Sequence, residues 1–219
     1  MQKRLYRILC DKVGIRKLFL RVPMNPVYIT ILWCITVCIA AILFTFNNYF
    51  LSITAAILLH LYLILDYVDG EIARERGEMT NFLKVLDLVC HRLADPLPYI
   101  GIAYGLYETK DYSIFLFPFL ILISMSLIEL FKSSSIGVKE PVDIVIVSEK
   151  RGNRLFRAVK KVLSFIVKFG FKEFCFTIIL VFAILNTLFY GLLLATIIYL
   201  FAGIGVTVYN LLWISKENR

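Results

Sequence analysis

Residues 61–98 read LYLILDYVDGEIARERGEMTNFLKVLDLVCHRLADPLP. The stretch opens as the end of a long apolar run, turns polar after Asp66, and becomes apolar again from Phe82 onward. Charged side chains are expensive inside a bilayer, so acids at the ends of apolar spans mark a functional site by default. Asp66 and Asp69 are three apart and share a helix face. Asp87, His91 and Asp95 are spaced by four and share a face of the next helix. A short polar connection joins the two segments, which predicts antiparallel neighbours with their acids at one depth. The alternative is that these acids are ordinary loop charges. The apolar span that Asp87, His91 and Asp95 begin weakens it.

Outward from this stretch, the chain of 219 residues is 60% hydrophobic, with a mean hydropathy of +0.81. That is too apolar for a soluble fold of this size. Six runs approach the ~20 residues that a helix needs to cross a bilayer. They lie at 26–46, 49–68, 81–107, 113–131, 172–187 and 190–214. Pro96 and Pro98 predict a kink inside the third. The fold class is therefore an all-α integral membrane protein, a six-transmembrane-helix bundle. Basic residues interleaved with apolar ones predict an amphipathic surface helix over 1–23. A second basic surface helix falls in the cytoplasmic loop 132–171, where Leu155, Val159, Val162, Ile166 and Phe169 recur at helical spacing. Residues 24–219 form one membrane domain.

Six spans place both termini on one side. With both in the cytoplasm, Lys110 is the only Lys or Arg outside, as the excess of positive charge in cytoplasmic loops demands. The net charge of +8 thus reads as topology and contact with anionic membrane lipids. No RNA- or DNA-binding motif is visible, so nucleic acid is not an expected partner. Cys10, Cys34, Cys38, Cys90 and Cys175 form no CxxC pair and read as small apolar residues. The basic N-terminus has no cleavage-site pattern and does not read as a signal peptide.

Converging carboxylates repel unless a cation lies between them. All-oxygen ligation favours Mg²⁺ or Mn²⁺, and magnesium commonly shares its carboxylates with substrate phosphates. Two such ions would clamp a pyrophosphate at its entering and leaving oxygens. Gly70 and Ala73 let a ligand approach the helix backbone, and Arg74 adds a fixed charge suited to phosphate oxygens.

These residues resemble the CDP-alcohol phosphotransferase (CDP-alcohol phosphatidyltransferase) family, whose pattern is D-x2-D-G-x2-A-R-x8-G-x3-D-x3-D. Asp66, Asp69, Gly70, Ala73, Arg74 and Asp87 match it; Leu83 stands at the second glycine and His91 at the last aspartate. The resemblance extends to Arg92 and Asp95, which often follow the motif. It also takes in Pro26 and Thr30 on the first span, where Val27 replaces the common Asn. It covers essentially the whole chain. The resemblance implies an enzyme of phospholipid biosynthesis that displaces CMP from a CDP-linked lipid donor, such as CDP-diacylglycerol, with an alcohol or phosphorylated alcohol acceptor. Asp66, Asp69, Asp87 and His91 would hold Mg²⁺ or Mn²⁺. Asp66, Asp69, Gly70, Ala73, Arg74, Pro26 and Thr30 would line the CDP site. Lys132, Arg151 and Arg154 are candidates for an acceptor phosphate, within a segment 132–172 that holds ten Lys or Arg; positive-inside charge is the plainer reading of most of them. The resemblance further implies a homodimer and the plasma membrane of a prokaryote, with the site on the cytoplasmic face.

His91 admits three readings. A neutral imidazole with a pKa near ~6.5 suits a general base at cytoplasmic pH. The ring also suits metal ligation, which would favour Mn²⁺ or Zn²⁺ over Mg²⁺. Third, it marks a chain that has lost catalysis and binds CDP-lipid or metal as a partner or regulator. A transporter ranks last, because its polar residues would gather near the bilayer midplane.

Overall fold

The computed structural model describes residues 24–133 and 171–217, with Lys12 and Gly14, and side chains over 24–130 and 171–207. The expected surface helices at 1–23 and 132–171 lie outside the described residues, as do Arg151, Arg154 and the side chain of Lys132. No strand occurs among the described residues. Among the described residues seven α-helices follow in order: α1 Pro26–Thr45, α2 Tyr49–Glu75, α3 Asn81–Ala94, α4 Leu97–Lys110, α5 Leu116–Ser133, α6 Phe171–Ile184 and α7 Leu188–Glu217. A 3₁₀ turn, Tyr112–Phe115, leads into α5.

Local chemistry sets the boundaries. Asn25 caps α1 through Val27 N, with Pro26 in the first turn, where its missing N–H costs nothing. Asn48 caps α2 at Phe50 N and Leu51 N, and Thr80 caps α3 at Leu83 N. Asn47 and Asn186 take positive φ (46° and 54°) in the tight turns between α1 and α2 and between α6 and α7; Asn tolerates that conformation better than most residues. Proline breaks the expected third span. Pro96 has no N–H to donate, so α3 ends at Ala94 and α4 restarts at Leu97.

Among the described residues, four stretches are long and apolar enough to cross a membrane: Pro26–Thr45, Tyr49–Glu75, Tyr112–Leu130 and Leu188–Thr207. The remaining helices, α3, α4 and α6, have 14 residues each. That is about 21 Å at 1.5 Å per residue, less than the ~30 Å hydrocarbon core. α2 outruns its expected end at 68, so Asp66, Asp69, Gly70, Ala73 and Arg74 lie on one continuous helix.

α1 packs against α2, α3 and α4, while α2 also meets α6; α7 packs against α5, α6 and α4. Without water to drive association, close backbone approach matters more in a membrane bundle. Gly101 and Gly105 of α4 supply it. A Cβ on Gly101 would come within 2.3 Å of the Ala41 carbonyl oxygen, and one on Gly105 within 2.4 Å of the Phe44 oxygen. Trp33, Tyr62, Tyr99 and Phe176 are fully buried at the centre. Tyr49 Oη donates to the Ile184 carbonyl at 3.1 Å, and Lys110 Nζ lies 4.9 Å from the Phe189 ring centre. The α1–α2 turn, the α4 end and the α6–α7 turn therefore share one end of the bundle. The acids lie at the other.

Candidate active site

Four elements build the site: the first half of α1, the C-terminal half of α2, α3 with its cap and the first turn of α6. Asp66 stands one turn beyond Tyr62 on α2, on the same face. Asp87, His91 and Asp95 descend one face of α3 and its cap. α6 brings Lys172.

Asp66 uses both oxygens. Oδ1 lies 3.1 Å from His91 Nε2, and Oδ2 accepts from Lys172 Nζ at 3.0 Å. His91 Nε2 is also 3.4 Å from Asp87 Oδ1. The other ring nitrogen, Nδ1, faces Tyr62 Oη at 3.2 Å and Asp95 Oδ2 at 3.5 Å. Tyr62 Oη donates to Asp95 Oδ1 in a short contact and accepts from Lys172 Nζ at 2.6 Å. The Trp33 indole stacks on the His91 ring, centroids 4.7 Å apart, which fixes the imidazole plane. Asp87 is the most open of the acids at 43% side-chain exposure, against 23% for Asp66 and 18% for Asp95.

Asp66, Asp87 and His91 each offer one atom, all within 4.8 Å of one another; they are the one such metal-ligand group of three among the described residues. Donor atoms about 2.1 Å from an octahedral cation are about 3 Å apart, close to the 3.1 and 3.4 Å from His91 Nε2 to the Asp66 and Asp87 oxygens. A ligating histidine usually holds its second nitrogen against a carboxylate, the position Asp95 takes. The donor set therefore fits a small divalent cation.

Asp69 does not join that group. Its Oδ2 accepts from Thr30 Oγ1 and Trp33 Nε1, both at 2.8 Å, and the residue is 5% exposed. Thr30, expected at the CDP site, is buried and donates to Asp69, and Pro26 is buried beside it at the start of α1. Arg74 folds back beside Gly70: a Cβ at residue 70 would lie 3.4 Å from Nη2, which also pairs with Glu71 at 2.7 Å. At 56% exposure its guanidinium still reaches solvent, and Ala73 is buried behind it. Leu83 fills the glycine position of the motif with a buried side chain. Glu129 pairs with Arg92 at 2.9 Å and ties α5 to α3.

Sequence reasoning passed over Tyr62, Trp33 and Lys172. Tyr62 carried a signal, being one turn before Asp66. Lys172 was counted with the basic loop it ends, although it begins an apolar span.

A family model described as CDP-alcohol phosphatidyltransferase matches residues 23–209. The chain belongs to that family. Among curated proteins, the phosphatidylinositol phosphate synthases of Mycobacterium bovis and Mycobacterium tuberculosis are similar, each 29% identical over 116 residues. The match spans 52% of this chain and 52% of theirs. Two crystal structures of the Mycobacterium tuberculosis phosphatidylinositol phosphate synthase PgsA1 share the fold. The apo form has a TM-score of 0.56 at 21% identity, covering 90% of this chain and 93% of that one. The form with CDP-DAG bound has a TM-score of 0.55 at 22% identity, covering 90% of each. In this member of the CDP-alcohol phosphatidyltransferase family, the motif residues Asp66 and Asp87 meet His91 at one end of the bundle.

Proposed function

We propose that the chain transfers a lipid phosphoryl group from a CDP-linked donor, CDP-diacylglycerol or its like, to an alcohol acceptor and releases CMP. The observation that carries the reading is the meeting of Asp66, Asp87 and His91 at the motif, beside the side-chain-free Gly70 and the solvent-facing Arg74. Family membership supports it. The name of the similar mycobacterial proteins points to a phosphorylated acceptor, for which Lys132, Arg151 and Arg154 supply charge.

In this reading Gly70 lets the nucleotide lie against α2, and Arg74 holds a pyrophosphate oxygen. Asp66, Asp87 and His91 Nε2 would hold Mg²⁺ or Mn²⁺, which would neutralise the pyrophosphate oxygens and steady the departing CMP. Asp95 and Trp33 fix the ring of His91. The acceptor hydroxyl oxygen bonds to the lipid-bearing phosphorus as the bridging P–O bond breaks; its proton passes to solvent water, and CMP leaves with the electrons of the broken bond. Asp69 anchors α1 to α2 through Thr30 and Trp33, a positioning role rather than ligation. A second reading rests on the same atom of His91: with Nε2 unligated, it takes the acceptor proton as general base.

The reading extends to the membrane. α3 and α4 together form a third crossing broken at Pro96, and α6 the core of a fifth, giving six spans with basic interfacial helices. Positive-inside charge puts the site and both termini in the cytoplasm, in a prokaryotic plasma membrane, as a homodimer. The test is CMP release by the purified chain in lipid nanodiscs, given CDP-diacylglycerol, Mg²⁺ or Mn²⁺, and a panel of glycerol phosphate, inositol phosphate, glycerol, inositol and serine. CMP release with a phosphorylated acceptor is expected. Release with plain alcohols alone would overturn the acceptor assignment, and binding of CDP-lipid without release would mark a binding protein.

A further inference from the structure

Lys172 places its ammonium on the side of Asp66 away from His91. Its ammonium lies 3.0 Å from Asp66 Oδ2, 3.5 Å from Asp95 Oδ1 and 2.6 Å from Tyr62 Oη, and 4.6 Å from the centre of the Tyr62 ring. The side chain is 18% exposed. Asp66 thus bridges two poles. On Oδ1 it faces His91 Nε2, which Asp87 also approaches; on Oδ2 it faces Lys172. A carboxylate that bridges two metal ions presents its oxygens in the same divided way. Here one side is already filled by a cation covalently part of the chain.

The acids that would complete a second metal shell are also committed. Asp95 is held by Tyr62 and Lys172, and Asp69 by Thr30 and Trp33. Position 91, where the family pattern has a further carboxylate, carries a histidine whose Nδ1 faces Lys172 at 3.4 Å. Removing Lys172 would leave Asp66 and Asp95 as half-buried carboxylates with a lost partner, a costly state unless another cation enters.

We propose that Lys172 is a built-in cation that occupies the second metal position, so that this chain forms a one-metal centre at Asp66, Asp87 and His91. The inference rests on the phosphotransferase reading only for the metal that those three residues hold. The fixed ammonium sets the charge and position of Asp66 whether or not substrate is present.

The test is Mn²⁺ binding to the full chain in nanodiscs, with stoichiometry read by calorimetry and ion–ion coupling by electron paramagnetic resonance. The native chain is expected to bind one Mn²⁺ with an uncoupled spectrum. Lys172→Ala, its folding checked by thermal melt, is expected to bind two, with a spin-coupled signal. Two coupled ions in the native chain would overturn the proposal and leave the phosphotransferase reading standing. A folded Lys172→Ala that holds one ion or none would also overturn it. No ion in the native chain would overturn both this proposal and the metal site, while CMP release would still judge the transfer reaction. A second measurement needs no variant: reductive methylation of the native chain, read by mass spectrometry. Lys172 is expected to stay protected with and without Mn²⁺, and exposure of Lys172 on adding Mn²⁺ would mean that metal displaces it and would overturn the proposal.

Discussion

His91 has acidic groups on both ring nitrogens and an indole against its face. A ring nitrogen as ligand shifts a site toward Mn²⁺, whereas a carboxylate suits Mg²⁺. His91→Asp should therefore raise the ratio of Mg²⁺- to Mn²⁺-supported CMP release by at least about tenfold, the lower end of what even a change in a ligand's supporting partner does to metal affinity. An unchanged ratio would remove His91 from the metal. Trp33 supports both His91 and Asp69. Trp33→Phe keeps a ring but removes the Nε1 donor to a buried carboxylate, and should cost about 1–3 kcal/mol in a thermal or denaturant melt. A melt unchanged from native would mean the Asp69 contact carries no weight. At this scale the sequence told which types of residue matter but not where their atoms point. Asp66 and Asp69 share a helix face by spacing, yet Asp69 turns toward α1 because Thr30 and Trp33 offer it two donors. Nothing in the motif encodes that choice, which depends on how α1 lies across α2.

Between elements, the α1–α4 contact sets how deep α3 and its acids sit, because α3 and α4 are joined only through the Asp95–Pro96 break. Gly101 gives that contact its closeness. Gly101→Leu forces a side chain against the Ala41 backbone and should destabilise the fold by about 1–3 kcal/mol, with CMP release lost in proportion to the folded fraction. Full stability in this variant would contradict the packing. The break at Pro96 was legible, since proline is a local rule. That α2 runs unbroken to Glu75 was less so, because the apolar run ends at 68 and the charges after it no longer follow the hydrophobic pattern. In the fold the helix continues, with Val68, Asp69, Glu71, Ile72 and Ala73 buried. Lys172 belongs to the same class of surprise. It was read by its neighbours in sequence, while its role comes from the packing of α6 on α2.

For the whole molecule, hydropathy and charge asymmetry fixed the class of protein before any contact was known, because the bilayer constrains span length and loop charge more tightly than water does. The topology follows with its own test: a fluorescent protein fused to the C-terminus should fluoresce in the cytoplasm, and alkaline phosphatase inserted at Lys110 should be active outside. The reverse pattern would invert the orientation. The central claim is that the acids gathered by α2 and α3 hold a metal and transfer a lipid phosphoryl group. The most direct measurement is CMP release from CDP-diacylglycerol by the native chain beside Asp66→Asn, each with and without a chelator. The account predicts acceptor-dependent release that the chelator stops, that added Mn²⁺ or Mg²⁺ restores, and that falls at least about a hundredfold in a folded Asp66→Asn, as loss of a transition-state contact worth about 3 kcal/mol requires. Release that survives the chelator or the Asp66→Asn change would contradict it.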